Sequence, residues 1–539
     1  MRETKRENSW PLPPRRLLAA ALLITLLSFL ARLWTAHGTF LSPDEALHFR
    51  LANQPSLVLA YKQSLTCSHP PLLFLLLYLL RILGTSEICL RLPSVLAGTL
   101  FCWVFFRWLA KTAGAIAGFI GLLFAALLPP IVQLGAEVRQ YALLIAFLAS
   151  AVYFLDEALE KNSSCRMAAS TLCLCLALLS HYSAALFIAA LGIYALFRIA
   201  TERSTARLAA AWIIGQLVLL ALAMFFYKTH LSKLGGGEDV ALHGWMSEYF
   251  LRHSYVDRAH DNPILFLAGH SFGIFQYFFG QLAVGDVMGL LFLVGVAQLL
   301  RGKASLDARV ARRVACILIL PFAMACIASL AHVYPYGGTR HMAFLVIPAI
   351  AGVSVAIARL ASEKWSRGVA VAIVVLMACI VFYKPRHPWM TRADQSRAHM
   401  ADAVNFIRQN VRSSDVIFTD YESDLILGHY LCGQQPIALE PAPAGFEQFS
   451  CAGHRIIGED FREWAFAADH FTQDWQDLMH AFAVKPGAAV WVWQAGWDTN
   501  LAPDLQKNST ELHDLRYQAF GKNIKVFKLT AGEHMPAVP

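Results

Sequence analysis

Runs of about twenty apolar residues recur through the first 384 positions and then stop. A helix of roughly 20 residues crosses the hydrocarbon core of a bilayer, and helices and closed barrels are the folds that satisfy every backbone group there. The pattern therefore predicts a polytopic α-helical membrane protein. Eleven windows qualify: about 16–36, 88–109, 113–133, 140–158, 166–181, 183–200, 207–227, 284–301, 312–332, 341–360 and 368–384. The fifth and sixth are short, and their join at His181-Tyr182 is either a loop or a break in one helix. With 57% hydrophobic and 15% charged residues, the chain lies far from soluble domains.

Basic residues in the short loops orient the spans. With Arg2, Lys5, Arg6, Arg15 and Arg16 inside, alternate loops place Arg107/Lys111, Lys161/Arg166 and Arg198/Arg203/Arg207 inside as well. The same holds for Arg301/Lys303/Arg309/Arg312/Arg313 and for Arg359/Lys364/Arg367. The loops carrying Asp44, Glu137, His230–His270 and Tyr334–His341 then lie outside the cytoplasm, together with the C-terminal tail. The first span follows a basic start without an obvious cleavage site, which reads as an uncleaved signal anchor. The net charge of +8 is largely this positive-inside bias and does not indicate nucleic-acid binding.

Two domains are expected: 1–384 in the membrane, with long outside loops at 37–87 and 228–283, and a soluble extracytoplasmic α/β domain at 385–539. The stretch 70–83 is too short to span and carries Arg81, so it is predicted to lie in the outer interface or packed against the bundle. Loop 228–283 holds His230, His243, His253, His260 and His270 without metal-ligand spacing and reads as a polar, flexible segment. Its GGGED lacks the GK[ST] of a phosphate loop. In the tail, ADAVNFIRQNV and SDLILGHYL read as helices, and DVIFTD, AAVWVWQAGW and NIKVFKLT as strands. Asn508-Ser509-Thr510 matches a glycosylation sequon. The eleven cysteines form no CxxC pair, which argues against structural zinc. Cys432 and Cys451 share the outside tail, where a disulfide is permitted.

Polar clusters stand out where the outside loops meet the spans. Asp44-Glu45 follows Pro43; the plain structural reading is a helix cap with first-turn acids, and the functional one is a carboxylate base. Glu137 and Tyr141 are four apart and share a face if their helix starts early, with Arg139 between them as an interfacial ion-pair partner or a phosphate clamp. His69 precedes Pro70-Pro71, and His181-Tyr182 lies at the outer boundary. Tyr334, Tyr336, Gly337, Gly338, Arg340 and His341 make a turn in which paired glycines admit close backbone approach. Under a topology derived from charge alone, all of these fall on one side, which points to a single outside-facing pocket.

The ordered set of motifs carries a resemblance. The DE pair at 44–45, HPPL at 69–72, GTSEICLRLPSVLAG, AEVRQYALL, LLSHYSAALF and YPYGGTRH together resemble the polytopic C-type glycosyltransferases of the protein O-mannosyltransferase and aminoarabinose transferase superfamily, especially bacterial members. The resemblance covers about 16–384 and leaves the tail unmatched. It implies an inverting transfer of one sugar from a polyprenyl-phosphate donor to an acceptor outside the cytoplasm, in a bacterial inner (plasma) membrane. It implies a catalytic role for Asp44 with Glu45 beside it, and acceptor or metal contact for Glu137. Arg139 and Arg340 are candidates for the carrier phosphate, and His69, Tyr141, His181, Tyr182, Tyr336 and His341 for other substrate contacts. No cofactor is certain; a divalent metal, with Glu137 as ligand, is not compelled by any spacing. The alternative is a lipid or sugar transporter, but the charges cluster at a boundary and neither half repeats the other.

Overall fold

A computed structural model of the chain describes residues 15–202, 204–234, 251–301, 308–362, 366–382, 394–433, 435–508 and 512–532. His243, the GGGED segment, most of the N-terminal basic cluster, Lys303, Lys364 and the serine and threonine of the sequon lie outside the described residues.

The membrane part contains α1 (Arg15–His37), α2 (Pro43–Ala52), α3 (Leu57–Ser64), α4 (Leu72–Leu80), α5 (Glu87–Ala113), α6 (Ala115–Leu127), α7 (Pro129–Leu134), α8 (Tyr141–Lys161), α9 (Ser164–Ser180), α10 (Ala184–Thr201) and α11 (Ala206–Thr229). It continues with α12 (Pro263–Phe279), α13 (Leu282–Leu300), α14 (Ala308–Leu330), α15 (Val346–Ser362) and α16 (Ser366–Phe382). Among the described residues, eight helices are long and apolar enough to cross a membrane. The expected spans at 113–133, 166–181 and 368–384 correspond to shorter apolar helices. α9 and α10 are separate helices joined by a three-residue turn at 181–183. α4 runs on as a 3₁₀ turn to Leu83, and Arg81 ties it back to Asn53 Oδ1 (3.0 Å) and the Gln54 carbonyl (2.7 Å), so it packs beside the bundle.

The break between α6 and α7 has a local cause. Pro129 has no N–H to give the Ala125 carbonyl, four residues back. Arg32 of α1 supplies the missing donor, its Nη2 lying 3.0 Å from that carbonyl. The guanidinium reaches it by passing two glycines: a Cβ on Gly98 or Gly135 would sit 2.6 or 2.5 Å from Arg32 Nε. α7 ends at Gly135, leaving 136–140 as a turn segment rather than helix.

The segment 228–283 departs from the expected flexible loop. Asn262 caps α12 by accepting from the Ile264 and Leu265 amides, and α12 packs antiparallel on α13, with Gly285 against the Gln276 backbone and Gly289 against Phe272. Arg258 donates to the Leu330 carbonyl at the end of α14 (3.1 Å). His270 is held within α12 by the Phe266 carbonyl (3.0 Å), and His230 is buried between Tyr182 and the Cys67 carbonyl.

Basic residues of α5 and α10 are matched by acids, Lys111 with Glu160 and Glu157 and Arg198 with Glu202 and Asp156. Asp156 accepts from Trp108 (2.8 Å) and Tyr194 (2.7 Å), and Arg313 pairs with Glu202 (2.7 Å).

The C-terminal part is a six-stranded sheet in the order β2-β3-β1-β4-β6-β5. Its strands are β1 (Val416–Thr419), β2 (Phe446–Cys451), β3 (His454–Glu459), β4 (Ala489–Ala495), β5 (Tyr517–Ala519) and β6 (Ile524–Thr530). Its helices are α17 (Arg397–Asn410), α18 (Tyr421–Cys432), α19 (Phe471–Ala481) and α20 (Leu501–Asn508). β1 is parallel to both β3 and β4, and all four of its residues are buried, as a central strand covered on both faces requires. Phe418, Phe466, Phe471 and Trp475 fill one face. Cys432 and Cys451 are joined by a disulfide that ties the end of α18 to β2.

Candidate active site

α2 starts where three sequence features coincide: Ser42 at the cap, Pro43 at the first position, and acids at the second and third. Glu45 reaches back to the Ser42 amide (2.9 Å) and hydroxyl (3.1 Å). Its two oxygens also take a bidentate pair from Arg91 of α5, both at 2.7 Å, and the Val138 amide at 2.8 Å. Burial pushes the Glu45 carboxyl up, and Arg91 overrides it, so the net direction is down. The same guanidinium donates to the Ala36, Thr39 and Phe40 carbonyls at 2.7, 2.9 and 3.0 Å. One buried arginine thereby closes the loop after α1, seats α2 and anchors the turn that carries Glu137 and Arg139.

Asp44 faces the other way. Its Oδ2 lies 2.6 Å from Arg340 Nη2 and 3.1 Å from Arg139 Nη1. Burial alone would raise this carboxyl, but Arg139, then Arg340 and His48, hold it far below the usual carboxylate range. Two of the arginines read from the sequence thus meet the acid read from the sequence, from segments 95 and 296 residues away.

Beside this triad runs a row of rings. His48, one turn after Asp44, stacks between Phe74 (5.2 Å between centroids) and His69 (5.3 Å). His69 is followed by His181 at 5.8 Å and then by Tyr141, 5.3 Å from His181. His48 Nδ1 is 2.5 Å from the Asp44 carbonyl, so that nitrogen carries the proton. Burial, then Arg139, holds the His48 and His181 imidazoles down at about 3, and burial, then His48, holds His69 well below its ordinary value. The three imidazoles are neutral at neutral pH. His69 also meets the Gln140 amide at 3.0 Å.

Other expected residues are placed differently. Glu137 is not on the helix of Tyr141, because α8 begins at Tyr141, and the two share no helical face. Glu137 accepts from Gln133 (2.7 Å), and burial, then Glu45, raises its carboxyl. Tyr182 turns to His230 (2.5 Å), and Tyr336 is buried against Ser271 of α12 (2.7 Å). Gly338 lies against the Gly273 backbone, where any Cβ would clash at 2.4 Å, so Arg340 follows a turn pressed onto α12. His341 contacts the Thr339 hydroxyl at 3.3 Å. Among the described residues there is no group of three or more His, Cys, Asp or Glu side chains able to hold a metal ion. Arg91 and His48 were not singled out from the sequence. An arginine inside an apolar helix was a signal for the first, and the four-residue step from Asp44 for the second.

Residues 68–227 match the sequence model of the family described as Dolichyl-phosphate-mannose-protein mannosyltransferase. The structure is similar to ArnT from Cupriavidus metallidurans in the apo state, with a TM-score of 0.53, 14% identity, and 97% of this chain and 100% of that chain covered. It is similar to the same protein bound to undecaprenyl phosphate, with a TM-score of 0.52, 16% identity, and 97% and 99% covered. An oligosaccharyltransferase of Archaeoglobus fulgidus in the apo form aligns at a TM-score of 0.48 and 11% identity, over 92% of this chain and 70% of that one. No curated protein matches the chain in sequence. The resemblance drawn from the motifs stands, and the fold is that of a multi-pass membrane protein of the ArnT type with a C-terminal sheet domain.

Proposed function

We propose that the chain is an inverting glycosyltransferase that moves one sugar, a hexose or a pentose, from a polyprenyl-phosphate donor to an extracytoplasmic acceptor. The observation that carries this reading is the Asp44 carboxylate held between Arg139 and Arg340. Two convergent guanidiniums make a phosphate site, and the carboxylate beside them is a base adjacent to a leaving group. The match of 68–227 to a mannosyltransferase family and the ArnT-like fold support it, since one ArnT structure holds undecaprenyl phosphate. No observation favours a transporter.

In the reaction, an acceptor hydroxyl or amine attacks the anomeric carbon as its bond to the phosphate oxygen breaks. The leaving polyprenyl phosphate keeps the bonding pair, and Arg139 and Arg340 offset its charge. The acceptor's proton passes to Asp44. A carboxylate clamped by two arginines is a weak base, so the donor phosphate must first draw the guanidiniums to itself. Burial then raises the released Asp44 carboxyl toward a useful basicity. Donor binding thereby activates the base. Glu45, engaged with Arg91 and two amides, serves as an organiser, and the neutral imidazoles of His48, His69 and His181, with Tyr141 at the end of the row, suit uncharged hydroxyl groups better than phosphate. We place the site and the sheet domain on the outer face of a bacterial inner membrane, following the basic-loop pattern.

The test is transfer from radiolabelled polyprenyl-phosphate sugar in membranes carrying wild type, Asp44→Asn or Arg340→Gln. Wild type should deliver label to an acceptor, Asp44→Asn should bind donor without delivering it, and Arg340→Gln should lose donor affinity. Full transfer by Asp44→Asn would remove the assigned base.

A further inference from the structure

The helix that carries Asp44 is walled by the sheet domain. Residues 395–397 pair with 38–40: the Phe40 amide donates to the Gln395 carbonyl (2.9 Å), and Thr39 and Ser396 form an antiparallel bridge. α18 lies along α2. The Tyr430 hydroxyl accepts from the Leu41 amide and donates to Glu87, both at 2.9 Å, and His429 meets Phe49 edge-on at 5.3 Å. In the last turn of α2, Arg50 donates to Asp424 Oδ2 at 2.5 Å and also to Glu447 of β2. Asp424 is fully buried, and among the described residues Arg50 is its ion-pair partner.

A ten-residue helix has no independent stability in water, so its position is set by what it packs on. Arg139 and Arg340 sit on other elements, the turn before α8 and the turn before α15. The Arg139 turn is tied to the start of α2 through Val138 and Glu45, but the contacts that Arg50 makes at the other end of α2 reach neither arginine, so they can be removed with Arg139 and Arg340 left on their own elements.

We propose that Arg50 is a positioning residue for sugar transfer: through Asp424 and Glu447 it fixes α2, and with it Asp44, to the C-terminal domain. The domain is thus a structural part of the active site. This rests on the reading of Asp44 as the base. Displacing a reacting group by about 1 Å costs on the order of 100-fold in rate, so Arg50→Gln should lower kcat by about 10- to 100-fold. It should leave the KM for polyprenyl-phosphate sugar within about twofold, because the arginine pair is untouched.

The experiment uses the full-length protein in detergent or nanodiscs with Arg50→Gln, Arg50→Lys and Tyr430→Phe, read by transfer kinetics and by amide hydrogen exchange. Arg50→Gln should show the kcat loss and faster exchange confined to 43–52, and Arg50→Lys should recover much of both. Tyr430→Phe, which removes the bond to the Leu41 amide, should act in the same direction. Unchanged kcat and exchange in Arg50→Gln would overturn the proposal. So would exchange that accelerates throughout the chain, because that is unfolding. A wild type whose α2 is protected, and loosened by Arg50→Gln, but which transfers no sugar would instead defeat the functional reading and leave the tether standing.

Discussion

Replacing Arg91 with methionine isolates the contact on which the site depends most. The substitution keeps most of the apolar stem and removes the guanidinium. Glu45, 1% exposed, would be left as a buried carboxylate without its cation. Breaking one side of a buried, hydrogen-bonded ion pair costs about 3–5 kcal/mol. The Ala36, Thr39 and Phe40 carbonyls also lose a donor, at a net of about 1 kcal/mol for each one that finds no water. The loss should therefore be about 3–5 kcal/mol or more. The informative companion is the double variant Arg91→Met, Glu45→Met, in which neither charge of this pair remains; the Ser42 amide and hydroxyl and the Val138 amide lose an acceptor, and the three carbonyls still lack their donor. Thermal unfolding of the purified protein should show the single variant melting well below wild type and the double variant recovering part of the difference. Sugar transfer should stay low in both, since the single variant loses the guanidinium that seats α2 on the loop after α1 and the double variant also loses the Glu45 anchor of the Arg139 turn at Val138. The reasoning fails if Arg91→Met costs less than about 1 kcal/mol, or if the two substitutions simply add.

Three further outcomes follow from the packing and charges. Gly135→Ala should destabilise by about 1–3 kcal/mol and depress transfer, because its Cβ would lie 2.5 Å from Arg32 Nε; adding Arg32→Ala should relieve the clash, and an unchanged melting temperature for Gly135→Ala would show that the arginine moves freely. Burial, then Asp474, pushes the Glu459 carboxyl from its ordinary 4.5 up to about 9. A proton held more tightly in the folded state stabilises most below the unfolded value, and that stability is lost as pH rises through about 9. Unfolding of the sheet domain followed from pH 5 to 9 should therefore show a decline that Glu459→Gln flattens, and equal slopes in the two proteins would reject this origin. Cys451→Ser opens a bridge of sequence separation 19 and should cost about 3 kcal/mol, seen as a lower melting temperature that reductant reproduces in wild type.

The apolar helices were readable because burial in lipid demands a long, nearly uncharged run, and this signal is carried by each segment alone. Where a run was interrupted, local chemistry decided. Pro129 split the expected span at 113–133, and the amide it lacks was legible, whereas the partner in α1 that answers it was not. α12, PILFLAGHSFGIFQYFF, was missed because the histidines around it suggested a solvated loop. The hairpin of β2 and β3 turns through Ala452-Gly453, both at positive φ, without the Asn-Gly signature that marks such turns. In the site, the residue types Asp44, Arg139 and Arg340 were visible as motifs, but their pairing depends on tertiary packing of three separate segments. The same holds for Glu45, whose sequence neighbour suggested shared chemistry while its partner Arg91 sits 46 residues away.

The bond between Arg50 and Asp424 joins positions 374 residues apart. Ribosomes add about 5–20 residues per second, so about 20 to 75 s separate the two ends of this contact during synthesis. Throughout that interval the nascent chain already carries its carboxylate and both arginines become available well before the sheet domain does. An unfinished molecule would then hold α2 without its contacts to Asp424 and Glu447 until the sheet domain has been made.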